Sequence, residues 1–226
     1  MQVHSIRAAM VDACQEMNRS GLNQGTSGNL SVRVDSSMLI TPTATPYDRL
    51  APGMMASLRI ADADGRFSGP SAPSSEWRFH RDIYRARADV GAIVHAHAPY
   101  ATALSMLRKN LPAAHYMIAA FNTHDIICTD YAPYGTPELS ELAVAGLGAA
   151  HGVLLGSHGM IAVGETLERA MWRAHELETL ARQYMLALQV GEPVILPKEE
   201  IDRLIPRFAA YGAAAAQDAS AESMKS

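Results

Sequence analysis

The fold of this chain depends on one stretch, Val90-Gly91-Ala92-Ile93-Val94-His95-Ala96-His97, in which a short apolar run ends in two histidines. A run of this length is typical of a buried β-strand. Side chains two residues apart on a strand point to the same face, so His95 and His97 can reach one point in space. The pair alone fits two hydrogen-bonded core histidines as well as two ligands of one metal ion.

A third histidine and a carboxylate favour the metal. His158 lies in Leu154-Leu155-Gly156-Ser157-His158-Gly159, a second apolar run interrupted by glycines, and Glu76 follows Pro73-Ser74-Ser75. Three histidines and a carboxylate can form a divalent metal site with an open or displaceable position, as catalytic zinc centres require. The other histidines show no comparable spacing, so we expect surface or core roles for His4, His80, His115, His124, His151 and His175.

Composition limits the class of protein. The 226 residues are 48% hydrophobic, which predicts one substantial core, and the net charge is −4 without a basic run. Nucleic acid and anionic membranes are therefore poor partners. No apolar stretch approaches the roughly 20 residues of a membrane span, and no signal segment opens the chain, so we expect a cytoplasmic protein. Cys14 and Cys128 are expected to be buried small hydrophobes rather than a disulfide.

The segments before His95 alternate between helical and strand patterns. Apolar residues recur at helical steps from Ile6 to Met17, which predicts an opening helix that ends near Ser20-Gly21. Two hairpins follow, and then a helix that Ser74 or Ser75 caps, with Glu76 in its first turn. The predicted hairpin strands run to Val32, over Met38–Thr41, over Ala56–Ile60 and through Arg66-Phe67.

The segments after His97 repeat the alternation. Short strands Gly152–Leu155 and Met160–Val163 flank His158. Helices are predicted at Pro99–Leu107, Pro137–Leu147, Leu167–Leu188 and Lys198–Tyr211, the last kinked or interrupted at Pro206. These patterns predict a single α/β sandwich with a mixed or mostly antiparallel sheet over residues 1–212, and a disordered alanine-rich tail at 213–226.

A set of small polar residues could form an anion site. Gly28-Asn29 can offer backbone N–H groups, Thr43 offers a hydroxyl, and Ser74 and Ser75 add hydroxyls at a helix N-terminus. Each feature alone is more often an ordinary turn or cap. Their value depends on their occurring together.

Several motifs in order resemble the class II aldolase/adducin family, and within it the branch that acts on fuculose 1-phosphate. The likeness runs from the first helix to about Gly212. The matching stretches are Asn23–Ser31, Leu39–Thr43, Pro73–Trp77, His95–His97, Pro112–Ala120, Gly135–Ser140 and His158-Gly159.

The resemblance implies a fold, a metal and an assembly. The fold is a three-layer sandwich with a central sheet flanked by helices. The metal is usually zinc, with Mn²⁺ or Co²⁺ as other divalent possibilities, held by three histidines, with Glu76 as fourth ligand or catalytic base. The assembly is a homotetramer with active sites between subunits, where Tyr116 reaches in from a neighbour and Tyr211 covers the site. The implied metal ligands are His95, His97 and His158, and the implied phosphate or substrate residues are Gly28, Asn29, Thr43, Ala44, Ser74, Ser75 and Tyr134.

The implied reaction is cleavage of a ketose 1-phosphate to dihydroxyacetone phosphate and a small aldehyde through a metal-stabilised enediolate. In condensation Glu76 would remove the C3 proton, and Tyr116 would serve as acid for the aldehyde oxygen. We expect desolvation to raise the pKa of Glu76 toward neutrality, opposed by the nearby cation.

Three departures from the family pattern concern the substrate. Ala44 stands where these enzymes commonly have glycine, so its methyl group could narrow the phosphate pocket or block a positive φ. Tyr134 replaces a phenylalanine in the segment that would contact the aldehyde, and no arginine follows Tyr211. These differences bear on the aldehyde more than on the reaction type.

Three other functions remain open. A ribulose-5-phosphate 4-epimerase would use the same retro-aldol chemistry, but that class typically has Thr-His-Ala-Asp where this chain has Ala114-His115-Tyr116-Met117. A decarboxylase or dehydratase could use the same scaffold. A non-catalytic adducin-like module would lose metal ligands that this chain retains.

Overall fold

A computed structural model of the chain describes residues 3–208. Its helices are α1 (Val3–Arg19), α2 (Trp77–Ala86), α3 (Pro99–Met106), α4 (Pro137–Leu147), α5 (Leu167–Val190) and α6 (198–208). Its strands are β1 (Asn29–Val34), β2 (Ser37–Ile40), β3 (Ala56–Arg59), β4 (Phe67–Ser68), β5 (Ala92–Ala96), β6 (Leu111–Pro112), β7 (Asp125–Ile126), β8 (Gly152–Leu155) and β9 (Gly159–Gly164). Short 3-10 helices occupy Tyr47–Arg49, Pro52–Met54 and Tyr116–Phe121.

A seven-stranded sheet forms the centre of the fold, in the order β4-β3-β2-β1-β5-β9-β8. Each neighbouring pair in this sheet is antiparallel. The strand that ends in the two histidines, β5, lies in the middle, between β1 and β9. Both faces of β5 are covered, which explains why its sequence is a continuous apolar run rather than an alternating one.

Helices cover the two faces of the sheet and make three layers. Side chains of Ala92 and Val94 belong to the core beneath α1, α3 and α5, whereas Ile93 belongs to the core beneath α2 and α4. Because side chains alternate along a strand, His95 shares the α2 face with Ile93. The expected α/β sandwich with a mostly antiparallel sheet is confirmed, and the polar end of β5 lies below the start of α2.

The start of α2 differs from the sequence prediction. Its N-cap residue is Glu76, not Ser74 or Ser75, and the Glu76 side chain makes no capping hydrogen bond. Ser74 precedes the helix in a turn of its own, in which its carbonyl accepts the Trp77 N–H at 3.0 Å and its hydroxyl accepts the Glu76 N–H at 3.3 Å. The carboxylate is thereby free to face the histidines.

The last described helix also differs. Helix α6 continues through Pro206 to residue 208, so the predicted interruption is wrong for the part of the chain that the structure describes. Its apolar side chains Ile201, Leu204, Ile205 and Phe208 pack on the core beneath α5, and this burial outweighs the hydrogen bond that proline cannot donate. Tyr211 and the predicted tail at 213–226 lie outside the described residues. Within residues 3–208 no helix has the length and apolar character that crossing a membrane requires.

Candidate metal centre and substrate cavity

Three imidazoles meet at the end of β5. One ligand atom from each of His95, His97 and His158 lies within 4.8 Å of the others. The ring centroids are 5.1 Å apart for His95 and His97, 4.8 Å for His95 and His158, and 5.0 Å for His97 and His158. The three side chains that the sequence singles out therefore converge.

A glycine allows this convergence. His158 stands in the turn between β8 and β9, and β9 pairs with β5 so that Met160 faces Ala96. A Cβ at Gly159 would lie 2.6 Å from the Ala96 carbonyl oxygen and 3.1 Å from Cδ2 of His97. Any side chain there would push the two strand ends, and with them His97 and His158, apart.

The hydrogen bonding of His95 leaves one ring nitrogen available for a cation. Its Nδ1 lies 2.9 Å from the Met160 carbonyl, which can only accept, so Nδ1 carries the proton. Nε2 is buried and makes no hydrogen bond to any residue that the structure describes. A backbone carbonyl that fixes the tautomer is the usual arrangement around a metal-binding histidine.

The other two imidazoles are suited to the same role. Burial, and after it the charge of His95, lowers the pKa of His97 to about 4 and that of His158 to about 4. Both rings are then neutral near pH 7, as metal ligation requires. Three imidazole nitrogen donors that converge in a buried pocket fit a divalent transition metal.

Glu76 completes the cluster. Its Oε2 lies 3.2 Å from His95 Nε2 and its Oε1 lies 3.2 Å from His158 Nε2. Oε1 is buried without a hydrogen bond, so this carboxylate oxygen and the unpaired nitrogen of His95 face the same small space. A cation in that space would satisfy both, which is the fit expected of a metal site.

The pKa of Glu76 runs against the sequence expectation. Burial alone raises it, but attraction to His95 and His158 and the hydrogen bond from Asn29 outweigh burial and hold the pKa well below its usual range. The expectation of a pKa near neutrality gave desolvation too much weight, because three favourable partners surround the carboxylate. Glu76 is therefore ionised and able to accept a proton.

A cavity of about 340 Å³ opens beside the cluster. It brings together most of the residues predicted for metal, phosphate and substrate. Those that line it are Gly28, Asn29, Thr43, Ala44, Ser74, Ser75, Glu76, His97, Tyr134 and His158. His95 lies behind this lining, fully buried.

The loop 23–28 beside the cavity packs closely against the end of β5, where His95 and His97 stand. Asn23, which is buried, donates its amide N–H to the Ser27 carbonyl and accepts the His97 backbone N–H at 3.2 Å. Gly28 has φ +72°, and a Cβ there would lie 2.6 Å from the His95 carbonyl oxygen. The loop can approach the strand this closely only because residue 28 is glycine.

Two predicted tyrosines have different outcomes. Tyr134 is 73% exposed and stands with Tyr131 at the mouth of the cavity. Tyr116 begins the 3-10 helix Tyr116–Phe121, is half-exposed, and stacks on Phe208 with ring centroids 6.3 Å apart. It does not line the cavity of its own chain.

Sequence reasoning missed a buried histidine behind the site. His80, assigned to a surface or core role, is fully buried and lies 2.5 Å from the side-chain oxygen of Asn29, whose amide nitrogen lies 2.9 Å from Glu76 Oε2. The signal that could have found it is helical spacing, since Glu76, His80 and Tyr84 recur every fourth residue on α2. Asn23, Tyr131 and Ser157 also contribute to the site, and no sequence pattern points to any of them individually.

The geometry can be compared with known proteins. Residues 8–185 match the family described as Class II Aldolase and Adducin N-terminal domain. The chain belongs to this family. The resemblance noted in the sequence is thus confirmed over most of the described residues.

Curated relatives and a solved structure are similar over nearly their whole lengths. The chain is 45% identical over 208 residues to a 5-methylthioribulose-1-phosphate/5-deoxyribulose-1-phosphate aldolase of Rhodospirillum rubrum, covering 92% of this chain and 93% of that one. It is 44% identical over 213 residues to an L-fuculose phosphate aldolase of Escherichia coli, covering 94% and 98%. A solved L-fuculose 1-phosphate aldolase superposes with a TM-score of 0.87 at 36% identity, covering 91% of this chain and 96% of that one.

These relatives are all aldolases, and their names differ in the ketose phosphate. The family and its relatives support a lyase activity of the class II aldolase type for this chain, and class II aldolases depend on a metal. The cluster of His95, His97 and His158 could hold such a metal.

Proposed function

We propose that this chain is a zinc-dependent class II aldolase that cleaves a ketose 1-phosphate into dihydroxyacetone phosphate and a small aldehyde. The observation that carries the proposal is the Glu76 carboxylate, which stands 3.2 Å from the nitrogens of two triad histidines at the edge of the cavity. A base beside a cation site, next to an anion-binding loop, is what enolisation of a ketone phosphate needs. Mn²⁺ or Co²⁺ would fit the same donors.

Different residues around the cavity would bind different parts of the substrate. We assign the phosphate to Gly28, Asn29, Thr43, Ser74 and Ser75, where backbone N–H groups and hydroxyls meet the N-terminus of α2. Asn29 reaches Glu76 with its side-chain amide, so its contribution to phosphate binding is the second amide hydrogen. This arrangement would hold the phosphate at one end of the cavity and the carbonyl carbon near Glu76.

Proton transfer at Glu76 accounts for both directions. In condensation Glu76 takes a proton from C3 of dihydroxyacetone phosphate, and the C–H electron pair moves toward the carbonyl oxygen. In cleavage the C4 hydroxyl gives its proton to the group that serves as acid in condensation and becomes the aldehyde carbonyl. The C3–C4 bond breaks, its electron pair stays on the dihydroxyacetone phosphate part, and Glu76 returns a proton to C3. The metal, when bound, supplies Lewis-acid stabilisation of the negative charge that develops on oxygen. An ionised Glu76 at neutral pH is the form that this role requires.

The aldehyde end is where the substrate would be selected. Tyr131 and Tyr134 are exposed at the mouth of the cavity, away from the triad. Both a deoxyribulose-type and a fuculose-type ketose 1-phosphate would place their terminal carbons there. We propose the cytoplasm as the compartment, which two unpaired cysteines support.

A proton-exchange experiment tests the proposal. In D₂O, the enzyme should exchange one C3 proton of dihydroxyacetone phosphate without any aldehyde, which proton NMR follows. Glu76→Gln should lower the exchange rate at least about 1,000-fold, because it removes the base, and purified wild-type protein should hold about one divalent metal per chain.

The controls separate the role of the base from phosphate binding, and an aldolase from an epimerase. Ser75→Ala, at the phosphate end, should raise the dihydroxyacetone phosphate concentration needed for half-maximal exchange and leave the base in place. Aldehydes offered with dihydroxyacetone phosphate, and L-ribulose 5-phosphate offered alone, identify the product-forming reaction. Metal-free protein with full exchange activity, or wild-type protein with none, would exclude the aldolase function.

We also propose a homotetramer in which Tyr116 acts as the acid for the aldehyde oxygen of a neighbouring subunit's site. Its half-exposed position away from its own cavity supports this. Subunits of Glu76→Gln and Tyr116→Phe, each nearly inactive alone, should recover activity when unfolded and refolded together. In a random mixture about a quarter of the sites combine an intact Glu76 with an intact neighbouring tyrosine. No recovery over the separate variants would refute a shared site.

A further inference from the structure

A chain of buried polar side chains runs between α2 and β1, behind the candidate base. Two of its members, Asn29 and Ser31, lie on β1, and the other three are Glu76, the N-cap of α2, and His80 and Tyr84 on α2. None is more than 6% exposed. We call these five residues the α2–β1 polar chain. Burying so many polar groups is costly unless every one finds a partner, so their continuity needs an explanation.

Contacts link the polar chain from end to end. Glu76 Oε2 lies 2.9 Å from Asn29 Nδ2, and Asn29 Oδ1 lies 2.5 Å from His80 Nε2. His80 Nδ1 lies 2.7 Å from Ser31 Oγ, which lies 2.9 Å from the Tyr84 hydroxyl. The members alternate between the helix and the strand at every step.

The alternation follows from matching repeats. Four residues of an α-helix rise about 6 Å, and two residues of a β-strand rise about 6.8 Å. Glu76, His80 and Tyr84 thus stand on one face of α2 at nearly the spacing of Asn29 and Ser31 on the facing side of β1. Asn29 therefore lies between Glu76 and His80, and Ser31 lies between His80 and Tyr84.

The donors of the polar chain all point toward Glu76. An ionised carboxylate only accepts, so Asn29 must turn its NH₂ group to Glu76 and its oxygen to His80. His80 must then carry its proton on Nε2, which leaves Nδ1 to accept from Ser31. Burial lowers the pKa of His80 to about 3, which keeps the ring neutral and able to accept there. One orientation of every amide, ring and hydroxyl satisfies the whole set.

We propose that His80 is a positioning residue for the base: by holding the Asn29 amide in one orientation, it keeps the Asn29 N–H on Glu76 Oε2 and so holds the carboxylate at the edge of the cavity, with Oε1 3.2 Å from His158 Nε2. This inference rests on the proposed function of Glu76. His80 itself does not line the cavity. Without it, Asn29 Oδ1 would lose the only donor that residues 3–208 give it, and the amide could turn its oxygen to the carboxylate, which would repel it.

Kinetics of the exchange reaction test the role. His80→Leu fills the space but donates nothing, and it should lower the maximal rate of dihydroxyacetone phosphate exchange about 10- to 100-fold. The concentration for half-maximal exchange should change much less than the maximal rate, because Gly28, Thr43, Ser74 and Ser75 still bind the phosphate. His80→Gln offers an N–H and an oxygen at similar places and should retain most of the rate.

A double-variant cycle separates positioning from general destabilisation. Once Asn29→Ala has removed the link, adding His80→Leu should lower the rate no further. Ile83→Ala on the same helix, buried but outside the polar chain, serves as the control for lost stability and should keep the wild-type rate. If His80→Leu fails to fold, Ser31→Ala takes its place in the same cycle.

A crystal structure of metal-free His80→Leu gives a readout independent of activity. It should show the Asn29 amide turned or the Glu76 carboxylate displaced from His95 and His158. A carboxylate unmoved within about 0.5 Å, or losses that add in the double variant, would overturn the positioning role. Wild-type protein that exchanges no proton would instead count against the proposed function, while the crystal structure still decides the geometry.

Discussion

Ala44 has a strained backbone conformation and also lines the cavity. Its φ is +50°, in the left-handed region, where a Cβ costs roughly 1–2 kcal/mol. The expectation that alanine could block this conformation is wrong, because Thr43-Ala44 adopts it and places Ala44 in the cavity lining. The surrounding structure holds the strained conformation in place.

Ala44→Gly should therefore stabilise the protein by about 1 kcal/mol, since relief of the left-handed strain exceeds the extra chain entropy of glycine in the unfolded state. The midpoint of urea unfolding measures this. Gly53→Ala is a contrasting control at a position without positive φ and with open space around it. It should raise stability by about 0.4–1 kcal/mol, because there only the entropy of the unfolded chain changes. An unchanged or lower midpoint for Ala44→Gly would mean that no strain is stored there.

At the scale of single residues, prediction from the sequence succeeded where residues that can bind a metal are also spaced to lie on one face of a strand. His95 and His97 could be paired because a strand repeats every two residues, whereas their meeting with His158 depends on the pairing of β5 with β9, which no local pattern encodes. His80 was overlooked because its partners, Asn29 and Ser31, lie about fifty residues away. Long-range partners are invisible to local spacing.

At the scale of elements, α3 begins just after β5. A side chain of the neighbouring helix α5 accepts hydrogen bonds from backbone N–H groups in the first turn of α3. The Glu178 carboxylate on α5 accepts from the Tyr100 N–H at 2.9 Å and from the Ala101 N–H at 2.8 Å. A negative charge at a helix N-terminus is favourable, even though burial raises the pKa of this carboxyl. Glu178 thus fixes the position of the first turn of α3 relative to His95 and His97.

Glu178→Ala should lower the free energy of unfolding by about 1–2 kcal/mol, because two backbone donors lose their acceptor. Glu178→Gln keeps one acceptor oxygen and should lose less. Urea unfolding compares the two, and the exchange rate of the folded protein should change little in either. Equal stability of Glu178→Ala and wild type would show that water replaces the cap without cost.

Elements with strong local signals were predicted well. The bounds of α4 agree residue for residue with the prediction, and α5 differs from it by two residues at its end. Helical periodicity and a capping threonine are local properties, and both helices have such a cap. The start of α2 was misplaced because Glu76 is drawn to tertiary partners, His95 and Asn29, rather than to its own helix.

For the whole molecule, the buried histidines set the response to acid. Burial holds the pKa near 3 for His80 and near 4 for His97, His151 and His158. Their unfolded pKa is about 6.5, so the unfolded chain takes up these protons first as the pH falls. Stability is thus present above about pH 6.5 and is lost progressively toward pH 4.

Metal-free protein should lose on the order of 2–4 kcal/mol of stability between pH 7 and pH 5, after allowance for solvent screening at His97. Urea unfolding at several pH values measures the slope. His151→Asn, outside the triad, should reduce the slope by about one proton and leave metal content unchanged. Constant stability over this range would mean that the buried rings take up protons in the folded protein at the same pH as in the unfolded chain.

The placement of the two exposed tyrosines bears on how such a protein can diversify. The histidines and Glu76 are held by strand ends and a helix start, while the side chains of Tyr131 and Tyr134 are exposed on either side of the buried Ala132. Changes at these two tyrosines cost little folding energy and leave bond-breaking chemistry intact. Descendants of one ancestral sequence could thus exchange one aldehyde for another through substitutions at the mouth of the cavity, and libraries confined to Tyr131 and Tyr134 would offer an engineer the same freedom.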